Sequence, residues 1–302
     1  MKEKILIAGG TGFIGYHVLK NLHLKKYNLF SISTKKPTSS MRVKNVKYII
    51  CDVTKKNIFS KKINKNFDHI INLSGNINHK EEVKTMRSHY KGCINLVNFF
   101  KKKKIKTFIQ IGSSLEYGKI LSPQKESAKC KPQGNYGLAK YKSTKYVCKI
   151  GKINKFPYVV LRLYQIYGPR QKKNRLIPNV ISSCLDNKEF NCTDGNQIRD
   201  FMHISDLTNL IKKILRSNIR KNIYNVGSGK PTKVKNVINK IKFLAGKGNP
   251  KFGAIKMRKD ETATSFPRLE KIKRTFNWKP LINLEKGLNN TILFYKKNNF
   301  DV

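Results

Sequence analysis

A glycine-rich segment near the N-terminus has the composition of a phosphate-binding turn. Residues 9–15 read GGTGFIG and directly follow the apolar run at 5–8. Gly9, Gly12 and Gly15 would allow a sharp turn, a close approach of the backbone to a diphosphate, and tight packing of the next helix. A strand before the glycines and a helix after them favour a dinucleotide site over a tight turn without a ligand.

Pairs of Tyr and Lys four residues apart could carry proton-transfer chemistry, and three of them are Tyr16/Lys20, Tyr136/Lys140 and Tyr141/Lys145. A free phenol titrates at about pH 10, and a nearby ammonium lowers that pKa. On a helix, residues four apart share a face. In a chain this rich in Lys the spacing recurs by chance. Tyr136 lies just past Pro132, where a helix can start, and this position favours the second pair.

The net charge is strongly positive, with 64 Lys and Arg against 17 Asp and Glu, or +47. Only about 11 of the basic residues are Arg, the residue that base-edge readout favours, and the lysines are spread along the whole chain. The charge therefore favours anionic substrates and weak, salt-sensitive polyanion binding, with no specific nucleic-acid partner.

Composition also bears on compartment and metal content. We find no apolar run of about 18 residues and no secretory signal, so we expect a cytoplasmic protein that does not contact a membrane. The six cysteines form no CxxC pair and no cluster with histidines. We therefore expect free thiols in a reducing compartment and no metal site.

The elements that must position these residues alternate regularly in the first half of the chain. Apolar runs predict strands, and amphipathic stretches between them predict helices; the strands are at 5–8, 29–32, 46–50, 69–73, 108–111 and 158–163, and the helices run from the glycine turn to 24 and over 80–102 and 135–152. This order predicts an α/β fold with a doubly wound parallel sheet of the Rossmann type.

After residue 165 prolines interrupt shorter elements, which predicts a smaller α/β substrate lobe. Helix-like stretches lie near 175–187, 204–216, 231–245 and 283–298. We assign 1–165, with about 195–225, to a dinucleotide-binding domain. Residues 166–194 and 226–302 then form the substrate lobe.

Seven segments together resemble the extended short-chain dehydrogenase/reductases, the NAD-dependent epimerase/dehydratase family. They span nearly the whole chain, in the family's order: 9–15, 51–53, 72–75, 111–118, 136–140, 161–169, and 199–201 with Asp206. The resemblance implies enzymes that act on the sugar of a nucleotide sugar, and a homodimer formed through the helices at about 80–102 and 135–152.

The resemblance also implies residue roles. Ser113, Tyr136 and Lys140 would be catalytic, with Ser113 orienting the reacting oxygen, Tyr136 moving the proton, and Lys140 both lowering the pKa of Tyr136 and binding the nicotinamide ribose. Counting back from the Tyr-Gly at 117–118 favours Ser113 over Ser114. Tyr136 and Lys140 are also predicted to bind the cofactor. The other predicted cofactor-binding residues are Gly9, Gly12, Phe13, Ile14, Gly15, Ser33, Thr34, Lys35, Asp52, Val53, Leu73, Ser74 and Gly75.

Two departures from the family pattern reduce the number of reactions that the chain could catalyse. Sugar dehydratases carry Asp-Glu after the catalytic residue, where this chain has Ser114 and Leu115. Related 3,5-epimerase/reductases carry Cys in place of Leu115. Reduction at C4, 4-epimerisation and alcohol oxidation remain, and we favour reduction of a nucleotide-linked 4-keto-6-deoxy sugar, with 4-epimerisation close behind.

The end of the second strand bears on the cofactor. NAD-binding relatives place an acid there for the ribose hydroxyls. This chain has no acid between Glu3 and Asp52, and it offers hydroxyls and an ammonium at 33–35. The pattern favours NADP over NAD, with NAD as the alternative.

The remaining predictions concern substrate. Ser114 and Gln165 are assigned to the sugar, while Arg175, Arg199 and Arg258 are candidates for the diphosphate, since a guanidinium binds phosphate oxygens in a bidentate manner. For the arginines, surface solvation or a structural ion pair is the alternative. We expect Asp206 to be a helix N-cap or the partner of an arginine. A different class of function, a catalytically silent cofactor- or RNA-binding module, is motivated by the charge.

Overall fold

Strands and helices alternate along most of the chain in the computed structural model, which describes residues 2–22, 26–63, 65–76, 81–257 and 261–298. The strands are β1 (Glu3–Ala8), β2 (Tyr27–Ser33), β3 (Val46–Ile50), β4 (His69–Asn72), β5 (Thr107–Ser113), β6 (Tyr158–Leu163), β7 (Gln165–Tyr167), β8 (Glu189–Asn191), β9 (Ile198–His203), β10 (Asn222–Val226), β11 (Pro231–Lys233), β12 (Asn249–Lys251) and β13 (Thr264–Ser265). The α-helices are α1 (Phe13–Leu22), α2 (Lys56–Lys62), α3 (Glu82–Met86), α4 (Gly92–Phe100), α5 (Gly134–Ile153), α6 (Leu176–Leu185), α7 (Ile204–Arg216), α8 (Val234–Ala245), α9 (Glu270–Phe276) and α10 (Leu284–Asn298).

The large sheet has seven strands in the order β10-β6-β5-β4-β1-β2-β3, and every neighbouring pair is parallel. The chain builds β1 to β3 outward on one side and then returns to place β4 to β6 on the other. The order therefore reverses between β1 and β4. In such sheets the ligand crevice opens at the carboxyl ends of the strands beside this reversal.

Both faces of the large sheet are covered, as a doubly wound fold requires. Alternate residues of β1 enter separate apolar clusters, with Ile5 and Ile7 on the side of α1 and α7 and Leu6 and Ala8 on the side of α4 and α5. Burial on both faces explains why β1 reads as an unbroken apolar run. The predicted fold class is confirmed.

The second lobe is built on short strands. Strand β9 pairs with β7 and β13 in parallel and with β11 antiparallel, while β8 pairs with β12. Helices α6, α8 and α10 bury a separate apolar cluster that includes Ile181, Ile241 and Leu288. This lobe supplies residues beyond 165 to the edge of the crevice.

Most predicted elements are present, and the differences are confined to short segments. The bounds of β3, β6 and α7 agree with the predicted ranges. The predicted helix over 80–102 is interrupted by a π-helical turn, Arg87–Lys91, between α3 and α4, and residues 231–233 form β11 instead of the first turn of a helix. The predicted start at residue 80 and the predicted end of the first helix at 24 lie outside the described residues.

Within the described ranges, no helix has the length and apolar character needed to cross a membrane. The six cysteines are free thiols, four of them buried and two partly buried. The described residues also contain no group of three or more His, Cys, Asp or Glu side chains arranged to hold a metal ion.

Candidate active site

The glycine turn joins the end of β1 to the start of α1. Gly9 has a φ of +84°, and a Cβ there would lie 2.8 Å from the carbonyl oxygen of Leu73, while one on Gly15 would lie 2.4 Å from the carbonyl oxygen of Gly9. These two positions need glycine because backbone atoms occupy the space of a side chain. Gly12 is exposed, and a Cβ there would have the Gly9 oxygen as its nearest neighbour, at 3.4 Å, so the outer side of Gly12 is open.

The geometry of this turn fits a dinucleotide. Phe13 and Ile14 begin α1, and the amide groups of a helix's first turn have no partner within the helix. Together with the positive end of the helix dipole, they form a site for an anionic group beside the open glycine. The residues present therefore suit the diphosphate of NAD(P).

The ends of β2 and β3 flank this turn. Ser33 is partly buried and accepts a hydrogen bond from the Thr11 amide at 3.4 Å, while Thr34 and Lys35 are exposed. At the end of β3, Asp52 accepts from the Thr54 amide at 2.8 Å, and Val53 is buried against Gly92, the first residue of α4. The structure thus brings these predicted residues to one edge of the crevice.

The end of β4 is held by an asparagine. Asn72 accepts from the amide and hydroxyl of Ser74 at 3.1 and 2.6 Å and donates to Gln110 on β5 at 2.8 Å. Gly75 follows with a φ of +154°, and a Cβ there would lie 1.8 Å from the ring of His89. The backbone at 73–75 is therefore fixed beside the π-helical turn.

Ser113, Tyr136 and Lys140 come together at the carboxyl end of β5. The Ser113 side chain lies close enough to Tyr136 to lower the pKa of the phenol, and the Ser113 oxygen accepts from the Leu115 amide at 3.2 Å. The Lys140 ammonium lies 5.8 Å from the centre of the Tyr136 ring and donates to the carbonyl of Ile111 at 2.9 Å.

Small residues on α5 allow this approach. A Cβ on Gly137 would lie 2.5 Å from the carbonyl oxygen of Leu115, and Ala139 is fully buried. The ring of Tyr136 also contacts His89, with centroids 5.0 Å apart and planes at 83°. Tyr136 is thus held between the serine turn and the π-helical turn.

The protonation states correct one expectation. Burial raises the pKa of Tyr136 to about 12, although the Ser113 hydrogen bond and the positive charge of Arg175 lower it. Burial also lowers the pKa of Lys140 to about 8, against the opposing effects of Glu116 and Cys93. We expected the lysine to lower the pKa of the phenol; in the free protein desolvation outweighs any such effect. The phenol is therefore protonated at neutral pH.

The predicted substrate residues have different surroundings. Ser114 is buried and Leu115 is 47% exposed, directly after the predicted catalytic serine. Gln165 is exposed at the start of β7. Arg175 immediately precedes α6, is partly exposed, and acts electrostatically on Tyr136. Arg258 lies outside the described residues.

Two other residues singled out from the sequence, Arg199 and Asp206, make structural contacts. Arg199 is buried, forms an ion pair with Glu261 at 2.7 Å, and donates to the Thr262 and Ala263 carbonyls. Its contacts favour the structural ion pair over a diphosphate ligand. Asp206 accepts from the amides of Leu281 and Ile282 at 3.0 and 3.1 Å. It therefore anchors a loop. Among the described residues it pairs with no arginine, and the N-cap of α7 is His203.

Comparison with known proteins decides the family. The model of the NAD dependent epimerase/dehydratase family matches residues 5–227. The chain belongs to this family.

Full-length relatives carry several names. A putative UDP-glucose 4-epimerase of Methanocaldococcus jannaschii is 26% identical and covers 98% of this chain and 99% of its own length. The CDP-abequose synthase of Salmonella typhimurium is 27% identical over 95% of this chain and 97% of its own. The crystal structure of UDP-glucuronic acid 4-epimerase from Bacillus cereus, with UDP-glucuronic acid and NAD, has a TM-score of 0.88 at 22% identity, covering 98% of this chain and 99% of that one.

One feature of this family member was missed from the sequence. Glu116 is fully buried, accepts from the Ser113 amide at 2.9 Å and forms an ion pair with buried Arg162 at 2.9 Å. A signal existed, because Ser113 and Glu116 have the Ser-x-x-Glu spacing of a capping box. Both halves of that box are present in the structure.

Proposed function

We propose that this protein is an NADPH-dependent reductase of a nucleotide-linked 4-keto-6-deoxy sugar. The observation that carries the proposal is the convergence of Ser113, Tyr136 and Lys140 at one site, with the Lys140 ammonium 5.8 Å from the centre of the Tyr136 ring. It lies at the carboxyl end of β5, at the same edge of the sheet as a glycine turn that suits a diphosphate.

The protonation state of the site suits reduction of a carbonyl. The bound cofactor would supply the hydride, and the product alcohol also needs one proton on its oxygen. Tyr136 is protonated at neutral pH and can donate that proton. Ser113 would donate a hydrogen bond to the same oxygen and hold it beside the phenol, and the Lys140 charge favours the phenolate that forms.

The side chains after Ser113 argue against dehydration. Elimination of water needs an acid and a base beside the sugar, and Ser114 and Leu115 supply neither. The half-exposed Leu115 gives this part of the site an apolar surface, which suits a 6-deoxy sugar.

The preference for NADPH rests on the end of β2. At this position a carboxylate would repel the 2′-phosphate of NADPH. This chain instead has two hydroxyls and an ammonium there, from Ser33, Thr34 and Lys35. The Bacillus cereus structure contains NAD, so NAD stays the alternative. The proposal includes the predicted domain division and a homodimer formed through α4 and α5.

A 4-epimerase is the second candidate. It is favoured by the Methanocaldococcus jannaschii relative, which is named as one and aligns over nearly the full length. An epimerase oxidises and re-reduces its sugar on a retained cofactor, so it consumes no added NADPH. A reductase consumes one NADPH for each sugar reduced.

The test is to measure NADPH and NADH oxidation with a panel of enzymatically made nucleotide 4-keto-6-deoxy sugars. Tyr136→Phe should lose at least about 99% of the activity. Tyr141→Phe is the matched control, since Tyr141 starts the adjacent Tyr-Lys pair on α5 and should leave the rate unchanged. Equal rates for wild type and Tyr136→Phe would refute the assigned proton donor. RNA binding that persists at high salt, with no turnover of any sugar, would favour the silent module.

A further inference from the structure

Glu116 is a buried carboxylate that the proposed proton path does not use. Its side chain is 0% exposed, one oxygen accepts from the Ser113 amide at 2.9 Å, and the other pairs with the Arg162 guanidinium at 2.9 Å. A charge buried this deeply is costly unless it is paired and hydrogen-bonded. Both oxygens have fixed partners, so the negative charge stays at one place under the site.

The hydrogen bonds of Glu116 fix the turn that carries Ser113. Ser113 caps the 3-10 turn over Ser114–Glu116, with its hydroxyl oxygen accepting from the Leu115 amide, and Glu116 returns to the Ser113 amide. A Cβ on Gly112 would lie 2.4 Å from the Glu116 carboxylate, so the glycine makes room for the acid. This reciprocal pair sets the direction of the hydroxyl that meets Tyr136.

The charge of Glu116 also acts on the two titrating groups of α5. Lys140 donates to the carbonyl of Ile111 and Glu116 accepts from the amide of Ser113, two residues further along the same strand, so both side chains are anchored to one short stretch of β5. Consistent with this placement, Glu116 is the largest charge effect that raises the pKa of Lys140, ahead of Cys93 on α4. It raises the pKa of Tyr136, where Arg175 acts in the opposite direction. Among the described residues, the other titratable or charged groups that face this carboxylate are Arg162, Cys130 and Cys148.

We propose that Glu116 is a positioning residue of this active site, which aims the Ser113 hydroxyl and holds a fixed negative charge near the Lys140 ammonium. The inference rests on the proposed function for its catalytic consequence. Its electrostatic part concerns the folded protein alone and can be measured without a substrate.

The direct test follows the ionisation of Lys140 by NMR in protein labelled with ¹³Cε-lysine, the resonance being assigned by its loss in Lys140→Arg. Glu116→Gln keeps an acceptor for the Ser113 amide and removes the charge. The pKa of Lys140 should then fall by about one unit. In the enzyme assay the alkaline limit of kcat/KM should move to lower pH by a similar amount, because Lys140 loses its proton earlier.

Two further variants separate this role from a purely structural one. Glu126→Gln is the matched control, because Glu126 accepts from the Asn225 amide near Arg162 without touching Ser113; the pKa of Lys140 should not change. Glu116→Val with Arg162→Leu removes the ion pair as a unit and covers the case in which Glu116→Gln does not fold. It should lower the pKa of Lys140 and reduce kcat more than it changes KM.

An unchanged Lys140 pKa in a folded Glu116 variant would overturn the inference. If the wild-type protein reduces no nucleotide sugar, the proposed function fails, and the NMR titration still decides the role of Glu116.

Discussion

Substituting the glycines of the cofactor turn should separate folding from cofactor binding. On Gly15 a methyl group would meet the Gly9 oxygen at 2.4 Å and Gly10 backbone atoms at 2.6 and 2.8 Å. Van der Waals contact needs roughly 1 Å more than the shortest of these, and backbone cannot rotate away as a side chain does. On Gly12 the closest atom would be at 3.4 Å, with no positive φ to strain the substitution.

The expected magnitudes follow from these distances. Overpacking against backbone costs about 3 kcal/mol, and the helix preference of Ala returns about 1 kcal/mol. Gly15→Ala should therefore lower the free energy of unfolding by about 2 kcal/mol. Gly12→Ala should change it by less than about 1 kcal/mol. Because its methyl group occupies the open side of the turn, it should raise the Kd for NADPH at least about tenfold.

Urea denaturation gives the first quantity, and titration calorimetry with NADPH and NADH gives the second. Gly15→Ala should lower the free energy of unfolding and also weaken cofactor binding. Gly12→Ala should weaken cofactor binding alone. A Gly12→Ala protein that binds NADPH as tightly as wild type would refute the assignment of this turn. A Gly15→Ala protein of wild-type stability would show that α1 does not pack as described.

Three further predictions concern charge. Burial holds the pKa of Lys140 at about 8. Between pH 8 and about 10.5 the folded state therefore binds fewer protons than the unfolded state, and stability rises with pH there. Lys140→Met should raise the free energy of unfolding at pH 7 by roughly 2 kcal/mol while abolishing activity. Unchanged stability of the wild-type protein in a denaturation series from pH 7 to 10 would contradict this. Ser33→Asp should weaken NADPH at least about tenfold relative to NADH in calorimetry, and equal weakening of both would remove the argument from β2. Arg175→Ala should raise the KM for the nucleotide sugar, whereas Arg199→Ala should lower the unfolding free energy by about 3 kcal/mol with KM unchanged; the reverse pattern would restore Arg199 as a ligand.

Six of the seven strands of the large sheet were predictable because they form apolar runs, whereas β10, with the sequence NIYNV, was not predicted. Strands buried on both faces read as unbroken apolar runs, and the ranges 46–50 and 158–163 agree with β3 and β6. Helix α2 was not predicted because its sequence, KNIFSKK, contains three lysines, an asparagine and a serine and shows little apolar periodicity. Five of the six strands of the second lobe have three residues or fewer, too short for a period to emerge.

The sequence predicted which residues form the candidate site better than it predicted their pKa values and ion pairs. Spacing and order selected Ser113, Tyr136 and Lys140, which the structure brings together. The raised pKa of Tyr136 depends on tertiary burial, which no local pattern encodes. The ion pair between Glu116 and Arg162 joins β6 to a turn 46 residues earlier, so half of it is invisible to local spacing.

The position of β10 has a consequence for how the protein is made. This strand, from late in the chain, completes the edge of the large sheet by pairing residue for residue with β6. Until β10 has been synthesised and has left the ribosome, β6 presents an open row of amides and carbonyls to which a strand of another nascent chain could add. A stop codon near residue 221 would make that exposure permanent, and we expect such a fragment to collect in inclusion bodies even though it retains Ser113, Tyr136 and Lys140.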